Sequence, residues 1–224
     1  MNNLYLIFIL IFLLIVFILS ILLKILDFKA SLLSLIIGFE IYILSNIYFL
    51  ILLIIFVFVS YIFSKFKKEY KNNDEIRSYK SVISKGLVPA IVVLLPIKII
   101  TKETIFSVSV AAALADTLAG EIGILSKNTY NIINLKKVER GENGGISIIG
   151  ELSSLFGSFI ISIFAYLFFK LSLYNILIIL IFGFISSNFD SLFGALLENR
   201  NLMNKHEVNI FSISLSSFLA YLLL

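Results

Sequence analysis

Long apolar runs alternate with short polar breaks along the whole chain. Leu4 to Leu23 is an apolar run of 20 residues, enough for a helix to cross about 30 Å of hydrocarbon. Lys24, Asp27 and Lys29 close it. Ala30 to Phe63 is too long for one span, and its break at Ser45-Asn46 predicts two short helices joined by a tight turn. Lys65, Lys67, Lys68, Lys71, Arg77, Lys80 and Lys85 then mark a basic loop. Further spans are expected over Leu87–Ile100, bent by Pro89 and Pro96, and over Ile105–Leu125, Ile146–Phe169, Leu173–Leu197 and Val208–Leu224. Polar loops fill Lys127–Asn143 and Glu198–Glu207. The expected fold is all-α: a polytopic integral membrane protein of about eight transmembrane helices, or seven if Ala30 to Phe63 is one tilted helix. Residues 1–64 read as scaffold helices, 65–86 as a basic cytoplasmic loop, and 87–224 as a catalytic-type membrane core.

Charge sets the orientation. With the basic loop placed in the cytoplasm and the spans alternating, only Lys98, Lys102 and Lys170 of the 18 Lys and Arg residues fall outside. That asymmetry follows the positive-inside rule and puts both termini outside. Seven spans would move the N-terminus inside and leave the later loops in place.

Composition narrows the function classes. The chain is 60% hydrophobic and 14% charged, with a mean hydropathy of +1.06; a soluble domain is less apolar and more charged. It has no cysteine, which excludes disulfides, iron–sulfur clusters and thiolate metal sites. Its single histidine, His206, excludes a multi-histidine metal site and argues against Ser-His-Asp chemistry. The net charge of +4 reads as topology bias, not nucleic-acid binding. The first apolar run lacks a basic leader and a small-residue cleavage site, so it is expected to be a retained helix.

The candidate chemistry lies between Ala111 and Gly157, with an echo at Asp190. In the fifth span Ser109, Ala112, Asp116, Gly120 and Gly123 recur at intervals of three or four and share a helical face. Gly150, Ser153, Ser154, Gly157 and Ser158 repeat the pattern in the sixth span, and Gly183, Ser187, Asp190, Ser191 and Gly194 in the seventh. The eighth offers Asn209, Ser212 and Ser216. Small residues of this kind serve close helix packing. The carboxylates ask for more, since an intramembrane Asp costs about 2.5–3.5 kcal/mol on insertion scales. Asp116 and Asp190 are expected to open toward the cytoplasmic side. Glu121 is shallower and about 140° round from Asp116 in a regular helix, unless Gly120 breaks the helix. Glu151 stands one turn into the next span.

Gly141-Glu142-Asn143-Gly144-Gly145 precedes the sixth span, behind Lys136, Lys137 and Arg140. Glycines there either make a plain turn or let N–H groups converge on an anion at a helix start. Carboxylates at one membrane face suit Mg²⁺, which takes one or two carboxylates plus phosphate oxygens. Phosphoryl transfer needs positioning and charge neutralisation more than a protein nucleophile.

Three stretches carry a resemblance. They are Ala115-Asp116-Thr117-Leu118-Ala119-Gly120-Glu121-Ile122-Gly123, Gly141-Glu142-Asn143-Gly144-Gly145-Ile146-Ser147, and Asp190-Ser191-Leu192-Phe193-Gly194-Ala195. Together they resemble the integral membrane family of plant phytyl-phosphate kinase and human transmembrane protein 19, and more distantly the CTP-dependent dolichol kinases and CDP-lipid synthases. Lys85-Gly86 resembles that family's Asn-Gly. Gly120 and Glu142 depart from its usual Ser and Thr. The resemblance implies a kinase that moves a phosphoryl group from a nucleoside triphosphate, CTP by analogy, to an isoprenoid monophosphate. It implies Asp116 and Asp190 as Mg²⁺ ligands and catalytic groups, with Glu121 as a further ligand or positioning base. Lys136, Lys137, Gly141, Asn143, Gly144 and Gly145 would bind the nucleotide phosphates. The prenyl tail would lie in the small-residue grooves between spans five to eight. A cytidylyltransferase making a CDP-lipid, or a transporter using the same carboxylates, are the alternatives.

Overall fold

The computed structural model describes residues 3–68 and 76–224. The apolar runs form eight α-helices: α1 (Asn3–Leu22), α2 (Phe28–Leu44), α3 (Ile47–Lys68), α4 (Tyr79–Leu94), α5 (Ile99–Gly123), α6 (Ile148–Phe169), α7 (Leu173–Phe193) and α8 (Lys205–Tyr221). Ser45-Asn46 does separate two helices, which favours the eight-helix reading over the seven. Among the described residues, four segments are long and apolar enough to cross a membrane: Ile47–Lys65, Ile99–Gly123, Ile148–Phe169 and Leu173–Glu198. By contrast α4 has 16 residues and α8 has 17.

Two expectations change. The basic loop over 65–86 is narrower, because Lys65 belongs to α3, and Lys80 and Lys85 belong to α4. Residues 69–75, with Lys71, lie outside the described residues. The fourth span begins at Tyr79 rather than Leu87, since Pro89 is tolerated inside α4 and the polar first turns continue the helix. The loop before α6 also carries structure: β1 (Thr129–Asn131), β2 (Lys137–Val138) and β3 (Gly145–Ile146) pair antiparallel in the order β2-β1-β3.

Contacts sort the helix ends into two groups, as alternating spans require. At one end Asp27 N donates to Arg77 O at 3.1 Å, and Arg77 N donates to Ile25 O at 3.3 Å. At the same end the Asn199 amide reaches Asn143 O at 3.4 Å. At the other, Tyr48 stacks on Phe168 with centroids 5.5 Å apart, and Tyr174 Oη donates to Leu223 O at 2.8 Å.

α5 is the axis of the bundle. Every residue from Thr104 to Ala115 is buried, and the helix touches α3, α4, α6, α7 and α8. A helix apolar all round must be enclosed, and here Ala111, Ala112, Ala113 and Ala115 let its neighbours approach closely. A Cβ added at Gly157 would stand 3.2 Å from the Ala115 backbone, and one at Gly123 would stand 3.2 Å from Gly150 Cα. One at Gly183 would stand 2.7 Å from Ala111 Cβ and collide with Ser158 Oγ. These seams are closed by backbone, so the grooves expected to hold a prenyl tail between α5, α6 and α7 are filled. Most hydroxyls inside the bundle are paired, as a water-free interior demands; the buried Ser60 and Ser217 hydroxyls are not. Ser109 Oγ donates to Phe106 O at 2.7 Å, Ser158 Oγ to Leu180 O at 2.8 Å, and Ser216 Oγ to Phe182 O at 2.6 Å.

Gly120 is the exception among these glycines, with nothing within 4 Å of an added Cβ. Gly183→Val should therefore lower stability by about 1–3 kcal/mol through overpacking. Gly120→Ala should be neutral or stabilise by up to about 1 kcal/mol through helix propensity. Heat unfolding of the two purified variants in one detergent checks the contrast.

Candidate functional site

Asp116 sits on α5 two turns before the helix ends at Gly123, about 10 Å from that end at 1.5 Å per residue. A carboxylate there needs a partner, and α4 supplies one. Lys85 Nζ donates to Asp116 Oδ2 at 2.7 Å and to Thr117 Oγ1 at 2.6 Å. The Thr117 hydroxyl in turn donates to Ala113 O at 2.7 Å, which orients its lone pairs toward the lysine. The Lys85 and Asp116 side chains are 17% and 21% exposed, so the pair is shielded but reachable.

Asp190 arrives on α7 beside Asp116, and both carboxylates line one crevice. Asn209 of α8, in the amide orientation that satisfies both its groups, donates to Asp190 Oδ1 at 2.7 Å and to Lys205 O at 3.2 Å. Lys205 lies within electrostatic reach of both carboxylates. A narrow crevice lined by Asp116, Ser186, Asp190, Asn209, Ser212 and Ile213 runs between these helices. One turn beyond Asp190, α7 widens into a π-helical turn, Gly194–Glu198. Such turns re-aim side chains and recur at functional sites.

The sequence-based set divides here. Asp116 and Asp190 meet. Glu121 does not join them: α5 stays helical through Gly120, so Glu121 points away and pairs with Arg77 at 3.3 Å. Glu151, also separate, accepts from the Asn188 amide at 3.1 Å. Lys136, just before β2, and Lys137, within it, are exposed, and Lys137 Nζ donates to Asn128 Oδ1 at 3.1 Å. The glycine segment is a packed turn. Gly141 and Gly144 have φ of +77° and +80°. A Cβ on Gly144 would stand 3.0 Å from Ala195 Cα and 3.1 Å from Ser191 O. Two of its N–H groups are spent internally, Glu142 N donating to Glu139 O at 3.3 Å and Gly145 N to Glu142 O at 3.0 Å. Asn143 accepts through its carbonyl from Asn199. Gly145 lies in β3, and Ser147, not a glycine, caps α6 by accepting from Gly150 N at 3.1 Å.

The donor set suits Mg²⁺ in one way only. No group of three His, Asp or Glu side chains that could hold a metal forms among the described residues, so a closed protein cage is not built. Two adjacent carboxylates among hydroxyls fit a Mg²⁺ that takes its other ligands from water and phosphate oxygens. Around this centre the field is positive. Lys80, Lys85 and Lys205 all act on His206, in the polar first turn of α8. Burial first, and then those cations, hold the His206 imidazole below its ordinary range.

Sequence reading passed over Lys85, Thr117, Lys205 and Asn209 as site residues. Lys85 looked like loop because the apolar run starts at Leu87, although Ser81, Lys85 and Pro89 keep helical spacing. Asn209 stood out as a polar residue on a span face, but one sequence cannot say that it meets Asp190.

Removing Lys85 alone strands the Asp116 carboxylate. Lys85→Met should cost about 3 kcal/mol, and the double variant Lys85→Met with Asp116→Asn should recover most of it. Denaturation of the two single variants and the double in detergent gives the coupling directly.

Comparisons with known proteins agree on the class. An uncharacterized membrane protein of Methanocaldococcus jannaschii is 35% identical over 199 residues, covering 85% of this chain and 82% of that protein. An uncharacterized membrane protein of Synechocystis is 32% identical over 93 residues, covering 41% of this chain and 36% of that protein. No solved structure matches. Residues 11–217 match the family described as integral membrane protein DUF92, and the chain belongs to that family.

Proposed function

We propose that the protein is a membrane phosphotransferase that moves the terminal phosphoryl group of a nucleoside triphosphate onto an isoprenoid monophosphate. The observation that carries this reading is the meeting of Asp116 and Asp190 in one crevice beside Lys85 and Lys205. Two carboxylates with nearby cations can gather Mg²⁺ and phosphate together, and little else is required for this reaction. CTP as donor and a prenyl chain as acceptor tail rest on the resemblance in the three motifs. The bias of Lys and Arg toward the Asp116 end supports a cytoplasm-facing site.

The roles follow from position. Asp116 and Asp190 would hold Mg²⁺, which when bound supplies charge neutralisation between phosphate oxygens. Lys85 stands where a phosphate oxygen would compete for its ammonium group, and Thr117 fixes its direction. A monophosphate acceptor is already anionic, so its oxygen attacks the terminal phosphorus without a protein base. The bond to the bridging oxygen breaks, and the nucleoside diphosphate leaves. Asn209 orients Asp190 and is a positioning residue. Glu121, paired with Arg77, serves α5 placement rather than the metal. With the inner seams closed, the tail would run along the lipid side of α4, where Ile83, Leu87 and Ile91 are exposed.

Purified protein in detergent, given Mg²⁺, CTP or ATP and prenyl monophosphates of several lengths, should form the diphosphate. Asp116→Asn and Asp190→Asn should each lose at least about 100-fold of the rate, in line with the loss of a preorganised charge at the reacting group. Full activity in either folded variant would end the site assignment. Pyrophosphate as product would instead identify a cytidylyltransferase.

A further inference from the structure

A nucleotide donor has to place its base within reach of Asp116 and Asp190, and the crevice between those carboxylates is too narrow to take it. Beyond the crevice, the connection from α7 to α8 borders a larger space. It is an open cleft of ≈ 410 Å³ whose walls include Glu198, Asn201, Leu202, Met203 and Lys205. That volume lies in the range of small-molecule sites, roughly 300–1,000 Å³.

The cleft is preformed. Asn199 N donates to Gly194 O at 3.2 Å, Asn201 N to Glu198 O at 2.9 Å and Leu202 N to Leu197 O at 2.9 Å, so the connection folds back onto the π-helical turn. Asn204 and Glu207 are locked in the reciprocal cap of α8. The groups left over are of three kinds. The Glu198 carboxylate is half-buried and has no hydrogen bond or ion pair among the described residues. Its Oε2 lies 3.9 Å from where a Gly194 Cβ would stand, so it rests against the packed turn. Asn201, held at φ +56°, has a side-chain amide with no partner among the described residues. Leu202 is 66% exposed, an apolar surface beside these polar groups.

Two elements connect the cleft to the carboxylates. Glu198 follows Asp190 by eight residues, about 12 Å at 1.5 Å per residue. On α8, Lys205 lines the cleft, and its backbone carbonyl accepts from the Asn209 amide that also reaches Asp190. An extended nucleoside triphosphate spans that separation, with its base at one end and its terminal phosphate at the other.

We infer that the α7–α8 cleft binds the base of the nucleotide donor and selects a base with an exocyclic amine, cytosine or adenine, over uracil. Glu198 accepts from that amine, the Asn201 amide donates to the ring nitrogen next to it, and the ring lies on Leu202 and Met203. An ionised carboxylate is an acceptor only. Cytosine and adenine offer it an N–H, whereas uracil presents a carbonyl oxygen at the same place and is repelled. This deepens the phosphotransferase reading and rests on it for the presence of a nucleotide.

The test is calorimetric titration of the full-length protein in detergent with CTP, ATP, UTP and inorganic tripolyphosphate, in Mg²⁺ buffer without a prenyl acceptor. CTP or ATP should bind about tenfold tighter than UTP, as expected for one hydrogen bond to a charged group, and the tighter of the two names the base. Glu198→Gln should bring that ratio to within about twofold, because an amide can turn its oxygen to an amine or its NH₂ to a carbonyl. The ratio is the readout, since removing one charge near the triphosphate shifts all the affinities together. Leu202→Ser should weaken the three nucleotides about threefold and leave tripolyphosphate unchanged. Both side chains reach solvent, and melting temperatures check that the variants are folded. Equal affinity for CTP, ATP and UTP overturns the site, as does a preference that survives Glu198→Gln or an absence of nucleotide binding. The two readings fail separately. A protein that selects an amino base through Glu198 but phosphorylates no prenyl monophosphate keeps the cleft and loses the kinase reading. One that makes the prenyl diphosphate equally well from CTP, ATP and UTP keeps the kinase reading and loses the cleft.

Discussion

Everything in the bundle depends on how closely other helices can approach α5. Its alanines, and the glycines set against it on α6 and α7, bring backbones to van der Waals contact. In lipid there is no hydrophobic gain between helices, so such contact and the hydrogen bonds it permits hold the assembly together. Ser158 reaching Leu180 and Ser216 reaching Phe182 are bonds that bulkier neighbours would keep apart. The same closeness delivers Asp190 to Asp116 and leaves Lys85 within bonding distance of both Asp116 and Thr117.

The polar centre is thus a packing product as much as a chemical one. Two carboxylates side by side repel, and removal from water makes that worse. Lys85 and Lys205 offset the charge, Asn209 satisfies an oxygen of Asp190, and the whole sits one or two turns inside a helix end. Further along α5, away from the site, Phe106 packs against Phe49 with ring centroids 4.7 Å apart, and no acidic residue is among the helix's buried positions. The paired carboxylates thereby sit in the half of the bundle where most basic residues gather.

Much of this was readable in the sequence, for physical reasons. The apolar runs gave the helices because length and hydrophobicity alone set a span, and Ser45-Asn46 gave the break between α2 and α3. Asp116 and Asp190 stood out because a carboxylate in such a run is expensive. Glu121 shares a face with Asp116 only if the helix breaks at Gly120, and in the structure it pairs with Arg77 instead. The helix runs unbroken to Gly123, and a regular helix puts position 121 on another side. The glycine turn shows the deeper limit. A glycine demanded by an anion and one demanded by Ala195 look alike in one dimension. Lys85 and Asn209 were obscured for a related reason: both owe their role to a partner tens of residues away, and α4 begins with polar turns that resemble loop.

The short helices α4 and α8 carry one more consequence. At 16 and 17 residues they rise only about 24–26 Å, less than the roughly 30 Å hydrocarbon layer beside them. A bilayer meeting a short pair of helices thins locally, at a cost of fractions of a kcal/mol per Å. The headgroup layer would then dip toward Lys80 and Lys205 on that flank. Hydrophobic mismatch would draw lipid headgroups down toward the level of Lys85 while their tails stayed in the hydrocarbon layer, and would favour thinner membranes as this protein's residence.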